Sequence, residues 1–205
     1  MKEIPRFYNS LEETKKEIFS LLFQGVNKRK SNFHNTVLTT IGIDKKPKSR
    51  TVVLRNFSEE DLTINIHSDL RANKINELNE NNNTSLLFYD HQKKIQLRVE
   101  GTAKIEKSNK TSWEKLSNWS RRCYLSIENP GTISESPSSG FPSKFSDEAP
   151  SDKESEEGIK NFSVIKIFIF KIEWLYLASQ GHRRALFEVN RSLSKIQVKS
   201  RWLIP

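Results

Sequence analysis

The chain has 205 residues, 35% of them hydrophobic, which is enough apolar material to bury the core of a single domain over residues 1–205. Thirty-four basic residues against 25 acidic ones give a net charge of +9, scattered without a basic tail or stripe. That distribution argues against a nucleic-acid binder and suits a small anionic ligand such as a phosphate ester. No run of eighteen apolar residues could span a membrane, and the N-terminal MKEIPRFYNS lacks the apolar centre of a signal peptide. The one cysteine, Cys123, excludes an internal disulfide and is expected as a buried or incidental thiol of a cytoplasmic protein.

Ser10 to Gln24, SLEETKKEIFSLLFQ, reads as a helix. Ser10 and Glu13 make a capping box, Leu11, Ile18, Leu21 and Leu22 share a face, and Gly25 is the expected stop. NTVLTTIGID has strand character, and the polar turn DKKPKS leads into RTVVLRNF and then DLTINIHS, two further strands. Arg50 and Arg55 stand at the two ends of RTVVLR, five residues apart, so a regular strand would point them to opposite faces.

HSDLRANK opens a short helix anchored by Leu70, Ile75 and Leu78, with Ser68 or Asp69 expected as its cap. A helix N-terminus exposes unpaired N–H groups and suits an anion, and Ser68, Arg71 and Lys74 surround this one with a hydroxyl and two cations. The same pattern also describes a capped surface helix with solvated cations.

TSLLFYD is a mostly buried strand, and the hairpin loop DHQKK joins it to IQLRVEGTAKI. There Ile95, Leu97, Val99, Ala103 and Ile105 alternate with Gln96, Arg98, Glu100, Thr102 and Lys104, a strand with one buried face. Gly101 lies where a bulge or tight bend would let that strand curl into a barrel. A second helix is expected over KTSWEKLSNWSRRCYLSI. Residues 129–161, rich in Ser, Pro and acids, are too long for a simple connection and read as a lid, a wrapped arm or a partly disordered cover. Within them Ser151 and Glu154 repeat the capping-box pattern. FSVIKIFIFKIEWLYLAS is apolar on both faces and should be a central strand; QGHRRALFEV and SKIQVKSRWLIP follow, the latter as a docked end. The fold class is mainly β with flanking helices.

Four clusters in this order, RTVVLR, HSDLRANK, QLRVEG and WLYLASQGHRRALF, together with the terminal WLIP, resemble the pyridoxamine 5′-phosphate oxidase-like family of FMN-binding split barrels. The resemblance implies a six-stranded split β-barrel working as a homodimer, with FMN held in grooves between the subunits. It makes Arg50, Thr51, Val52 and Val53 flavin contacts, His67 and Ser68 the strand-end pair at the flavin, and Lys74 a phosphate-binding lysine. Gln96, Trp174 and Arg184 complete the set. The family's arginine before that lysine is Asn73 here, and Arg71 is expected to supply the missing cation. On the substrate side Arg55 stands for a family lysine, His182 survives from an Arg-Leu-His triplet that here reads Gln180, Gly181 and His182, and Ser120 with Arg121 matches a further contact. The implied activity is that of an FMN-dependent oxidoreductase acting on a small molecule. A true pyridoxamine 5′-phosphate oxidase and a flavin-storing module without turnover are the alternatives.

Overall fold

The computed structural model describes residues 4–192 and 195–205. Helix α1 (Leu11–Asn27) leads into strands β1 (Asn35–Ile41), β2 (Pro47–Val53), β3 (Asn56–Ser58) and β4 (Thr63–Asp69), followed by helix α2 (Asn73–Glu80). Strands β5 (Asn83–Asp90) and β6 (Ile95–Lys107) come next, then helices α3 (Lys110–Glu114), α4 (Asn118–Arg121) and α5 (Asp152–Ser155). Strands β7 (Phe162–Tyr176), β8 (Arg183–Arg191) and β9 (Ile196–Leu203) complete the chain. All the pairings are antiparallel, in the order β2-β1-β5-β6-β7-β4-β3, with β8 also on β7 and β9 on β8. The nine strands of the described residues exceed the six the resemblance implies, the three-residue β3 and the β8–β9 pair among them.

Strand β7 organises this sheet. One of its edges carries β6 along nearly its whole length, while the other is shared between β4, on Phe162 to Phe168, and β8, on Lys171 to Tyr176. The changeover falls at Phe170, which the β6 register also skips, between Glu100↔Lys171 and Gly101↔Ile169. The bulge expected near Gly101 is therefore present, with the extra residue on the partner strand. Gly101 is required there because a Cβ would lie 2.6 Å from the Phe168 carbonyl oxygen. Forking at Phe170 lets β4 curl away from β8, and the main-chain bonds Leu54 N–H to His34 O (2.8 Å) and Arg55 N–H to Asn65 O (2.9 Å) tie the end of β2 to β1 and β4.

The apolar half of each alternating strand fills the interior. Leu38, Leu86, Phe88, Leu97, Val99, Ile165 and Ile167 meet Ile18, Leu21 and Leu22 of α1, all essentially inaccessible to water. Each such side chain contributes roughly 1.5–3 kcal/mol by leaving water.

Three local expectations are corrected. Helix α1 runs through Gly25 to Asn27; Gly25 is there because the Phe33 carbonyl presses on it, 2.5 Å from where a Cβ would sit. Helix α2 begins at Asn73, after an uncapped Ala72, because the Asp69 carboxylate is taken by the Arg71 N–H (2.8 Å) and guanidinium. The single helix expected over 110–127 is broken into α3 and α4, since Ser117 caps a new start at Asn118. The 129–161 segment carries short helical turns at Ser143–Phe145, Asp152–Ser155 and Glu156–Asn161, and α5 has the full Ser151–Glu154 capping box. Cys123 is exposed.

Candidate functional site

At the start of α2, Lys74 Nζ donates to Ser68 Oγ at 3.2 Å. Burial and the nearby Arg50 charge hold the Lys74 ammonium below the usual lysine range, so its proton is less firmly held than a surface lysine's. Arg50 itself is committed. It bonds Glu77 Oε2 at 2.7 Å and also reaches Thr40 Oγ1, and Thr40 bonds the same buried carboxylate. Arg71 is committed too, clamped by both oxygens of Asp69 and donating to the Ser126 carbonyl at 2.9 Å. Three cations thus gather at this helix end, but Glu77 and Asp69 offset two of them, and among the described residues Lys74 bonds only a hydroxyl. Because α2 has no side-chain cap, its first N–H groups also remain for an acceptor from outside the helix.

Beside the outer face of β4 lies a polar hollow of about 570 Å³ lined by Arg55, Asn56, Asn65, His67, Lys115 and Lys166 among others. Asn65 and His67 alternate with the core residues Ile64 and Ile66, so they project from the outer face of β4 into this hollow. Asn65 Oδ1 and His67 Nδ1 are buried there with no hydrogen-bond partner among the described residues. Burial, with the Arg55 charge, lowers the His67 pKa to about 4, so the ring is neutral at pH 7. Buried polar atoms without partners are uncommon and destabilising by about 1–3 kcal/mol each, which makes the hollow a candidate ligand site. Tyr124 packs edge-on against Phe162, as His67 does, and burial pushes its phenol well above its ordinary range.

Along β2, Thr51 is exposed and Val52 and Val53 are half-buried on an edge strand, open to a flat group laid beside them. Gln96 and Arg184 lie elsewhere. They are the cross-strand neighbours of Leu175 on either side, so the three form one row across β6, β7 and β8 on the sheet's outer face. Trp174, expected among the flavin contacts, points the other way: it is fully buried in the core with Phe7 against it, and its indole N–H has no partner among the described residues. Arg121 and His182, the remaining substrate-side residues, lie apart from one another in the fold. Arg121 is buried, with its guanidinium spent on Glu156 (3.0 Å), Ser155 and the Trp113 carbonyl. His182 is exposed on the turn before β8, where Tyr8 donates to the Gly181 carbonyl at 2.8 Å.

The sequence reading did not single out Glu77 or Glu173, the acids that hold Arg50 and Arg184. Glu173 was visible as the one acid in an otherwise apolar or basic strand, but which arginine it meets depends on register.

The all-antiparallel forked sheet with flanking helices has the architecture of an FMN-binding split barrel. Residues 15–107 match the family model "Pyridoxamine 5'-phosphate oxidase, FMN-binding domain". An Arabidopsis thaliana protein, pyridoxine/pyridoxamine 5′-phosphate oxidase 2, is 28% identical over 124 residues, which is 60% of this chain and 63% of that protein's length. A pyridoxamine 5′-phosphate oxidase-related FMN-binding protein from Nostoc punctiforme has the same fold, with a TM-score of 0.73 at 20% identity over 96% of this chain and all of that one. PhzG from Burkholderia lata, solved with tetrahydrophenazine-1-carboxylic acid, gives 0.71 at 16% identity over the whole of this chain and 99% of that one. Residues 15–107, just under half of the chain, thus resemble the FMN-binding domain of the pyridoxamine 5′-phosphate oxidase family, whose cofactor is FMN.

The residues fit that group. FMN carries an anionic phosphate, for which the uncapped α2 start with Lys74 and Ser68 is a suitable cradle. None of the described helices is long and apolar enough to cross a membrane.

Proposed function

We propose that this chain is an FMN-dependent oxidoreductase acting on a small molecule as a cytoplasmic homodimer, each flavin being shared between two copies. One observation carries the proposal. Ser68 pairs with Ser163 at the start of β7, whereas Gln96 and Arg184 flank Leu175 near its end. At about 3.3 Å per residue the strand between those two points is roughly 40 Å long. The phosphate cradle and the Gln96–Arg184 row therefore lie at opposite ends of one ladder, and a two-fold partner would bring one of each together. Leu87 and Tyr89, 40% and 47% exposed on the same outer face as Gln96, supply apolar surface for such an interface.

When bound, FMN supplies the redox chemistry; the protein positions it and the substrate. Lys74 and Ser68 would hold the phosphate, the β2 main chain would run beside the ring, and Gln96 and Arg184 of the second copy would meet its polar edge. His67, neutral and with a free Nδ1, would hydrogen-bond in the hollow beside Arg55, where the substrate enters. Pyridoxamine phosphate is not the substrate we assign. Gln180 and Gly181 stand where the resemblance places an arginine and a leucine, and their carbonyls are engaged by Tyr8. Sedimentation followed at flavin absorbance tests the proposal: one FMN per chain should travel at the mass of two chains, and a flavin-loaded monomer would contradict it. A bound flavin that neither accepts electrons from a donor nor returns them to oxygen would leave storage as the function.

A further inference from the structure

We infer that Glu173 is a positioning residue for Arg184, fixing the guanidinium that the shared-flavin reading places against the ring edge; the inference rests on that reading. Glu173 interrupts β7 between Ile172 and Trp174 and is only 8% exposed. A carboxylate so far from water is stable only when paired. Its Oε1 accepts from Arg184 Nη2 at 2.8 Å and from Arg98 Nη1 at 3.1 Å, one arginine on each neighbouring strand. Arg98 is its direct cross-strand partner, while Arg184 reaches it diagonally from beside Leu175.

The two arginines differ in what remains free. The Arg98 side chain is 47% exposed and leans toward Glu100 as well, 4.0 Å away. The Arg184 side chain is 32% exposed, and among the described residues its only hydrogen bond is the one to Glu173. A guanidinium has five N–H donors in a rigid fork, so holding one Nη fixes the plane and aims the rest. Gln96 stands in the same row two strands away, across Leu175, and its amide also makes no bond within the described residues of this chain. Glu173 therefore does two things at once. It sets the direction of the fork, and because one carboxylate faces two arginines it leaves positive charge on the face where the partner's flavin would lie.

Titrating FMN and riboflavin by fluorescence quenching tests the inference with a double-mutant cycle on the full chain. Arg184→Ala should weaken both ligands by the same factor, since the contact is to the ring. Glu173→Gln should weaken both about tenfold, the size expected for one charged hydrogen bond lost. In the Arg184→Ala background, Glu173→Gln should change affinity less than twofold, and Arg98→Ala alone should also stay within about twofold. If Glu173→Gln does not fold, Glu173→Asp, which keeps the charge but withdraws the carboxylate by one methylene, should show the same coupling to Arg184. An equal loss on replacing Glu173 with and without Arg184, or no loss with Arg184 present, overturns the positioning role while leaving the shared flavin intact. Arg184→Ala without effect on either ligand overturns the shared flavin and the role of Glu173 with it.

Discussion

Lys74→Ala is the most informative single change at the phosphate cradle. Of the three cations near the start of α2, Arg71 is bidentate on Asp69 and Arg50 is paired with Glu77, whereas among the described residues Lys74 Nζ bonds only Ser68 Oγ. Lys74 should thus supply most of the uncompensated charge that a phosphate meets. A charge-assisted contact of this kind is worth roughly 1.5–3 kcal/mol. At about 1.4 kcal/mol per factor of ten, Lys74→Ala should weaken FMN at least tenfold. Riboflavin, which has no phosphate, should bind the variant as it binds the parent. Arg71→Ala should act differently. Its guanidinium holds the Ser126 and Ile127 carbonyls, so its loss should affect FMN and riboflavin alike by loosening the wall. Fluorescence titration of both ligands against both variants provides the assay. Equal losses of FMN and riboflavin on Lys74→Ala would refute the reasoning, as would an Arg71→Ala effect confined to FMN.

Further outcomes follow from the same geometry. Because burial and Arg50 lower the Lys74 pKa, FMN affinity should fall as pH rises through that lowered value, with riboflavin affinity flat; isothermal titration across alkaline pH checks this. His67 has a folded pKa of about 4 against an ordinary 6.5, so the stability its neutral ring contributes is present above pH 6.5 and is lost as pH falls toward and through 4. Urea unfolding at pH 7 and pH 4.5 should show the parent losing about 2 kcal/mol more than His67→Gln does. Gly101→Ala should cost about 1–3 kcal/mol in the same assay, because its Cβ has no room beside the Phe168 carbonyl. Phe145→Ala should destabilise by about 2–4 kcal/mol, since that ring is 6% exposed and its carbonyl is bonded by Arg122; an unchanged midpoint would return the 129–161 segment to the status of a loose cover.

What could be read from the sequence was local or periodic. Strict alternation from Ile95 to Ile105 marked β6 and its buried face, and the glycine within it marked the bulge. Ser151 and Glu154, three residues apart, announced the box that starts α5 in a segment whose composition otherwise suggested disorder. The rest depended on contacts between distant residues. Phe170 sits in a strand apolar on both faces, so no pattern could reveal that the sheet forks there. Arg71 looked like a free cation at a helix start. It is instead held by Asp69 two residues earlier and by carbonyls more than fifty residues later, and the helix starts after it. Arg121 lay at a plausible spacing but is turned inward because Glu156, on the folded 129–161 segment, meets it there. Trp174 was correctly placed on a strand, but the parity of β7 directs it into the core and leaves Leu175 in the row between Gln96 and Arg184.

Subunit mixing tests the shared flavin most directly. Lys74→Ala and Arg184→Ala homodimers should each bind FMN weakly. In a mixed dimer one groove carries both changes, while the other joins an intact Lys74 from one chain to an intact Arg184 from its partner. After unfolding and refolding the two variants together in equal amounts, about half the dimers should be mixed, and tight binding should return at roughly one FMN per four chains. Recovery at that stoichiometry is the predicted result; no recovery, with mixed dimers confirmed by mass, would contradict a flavin held between two chains.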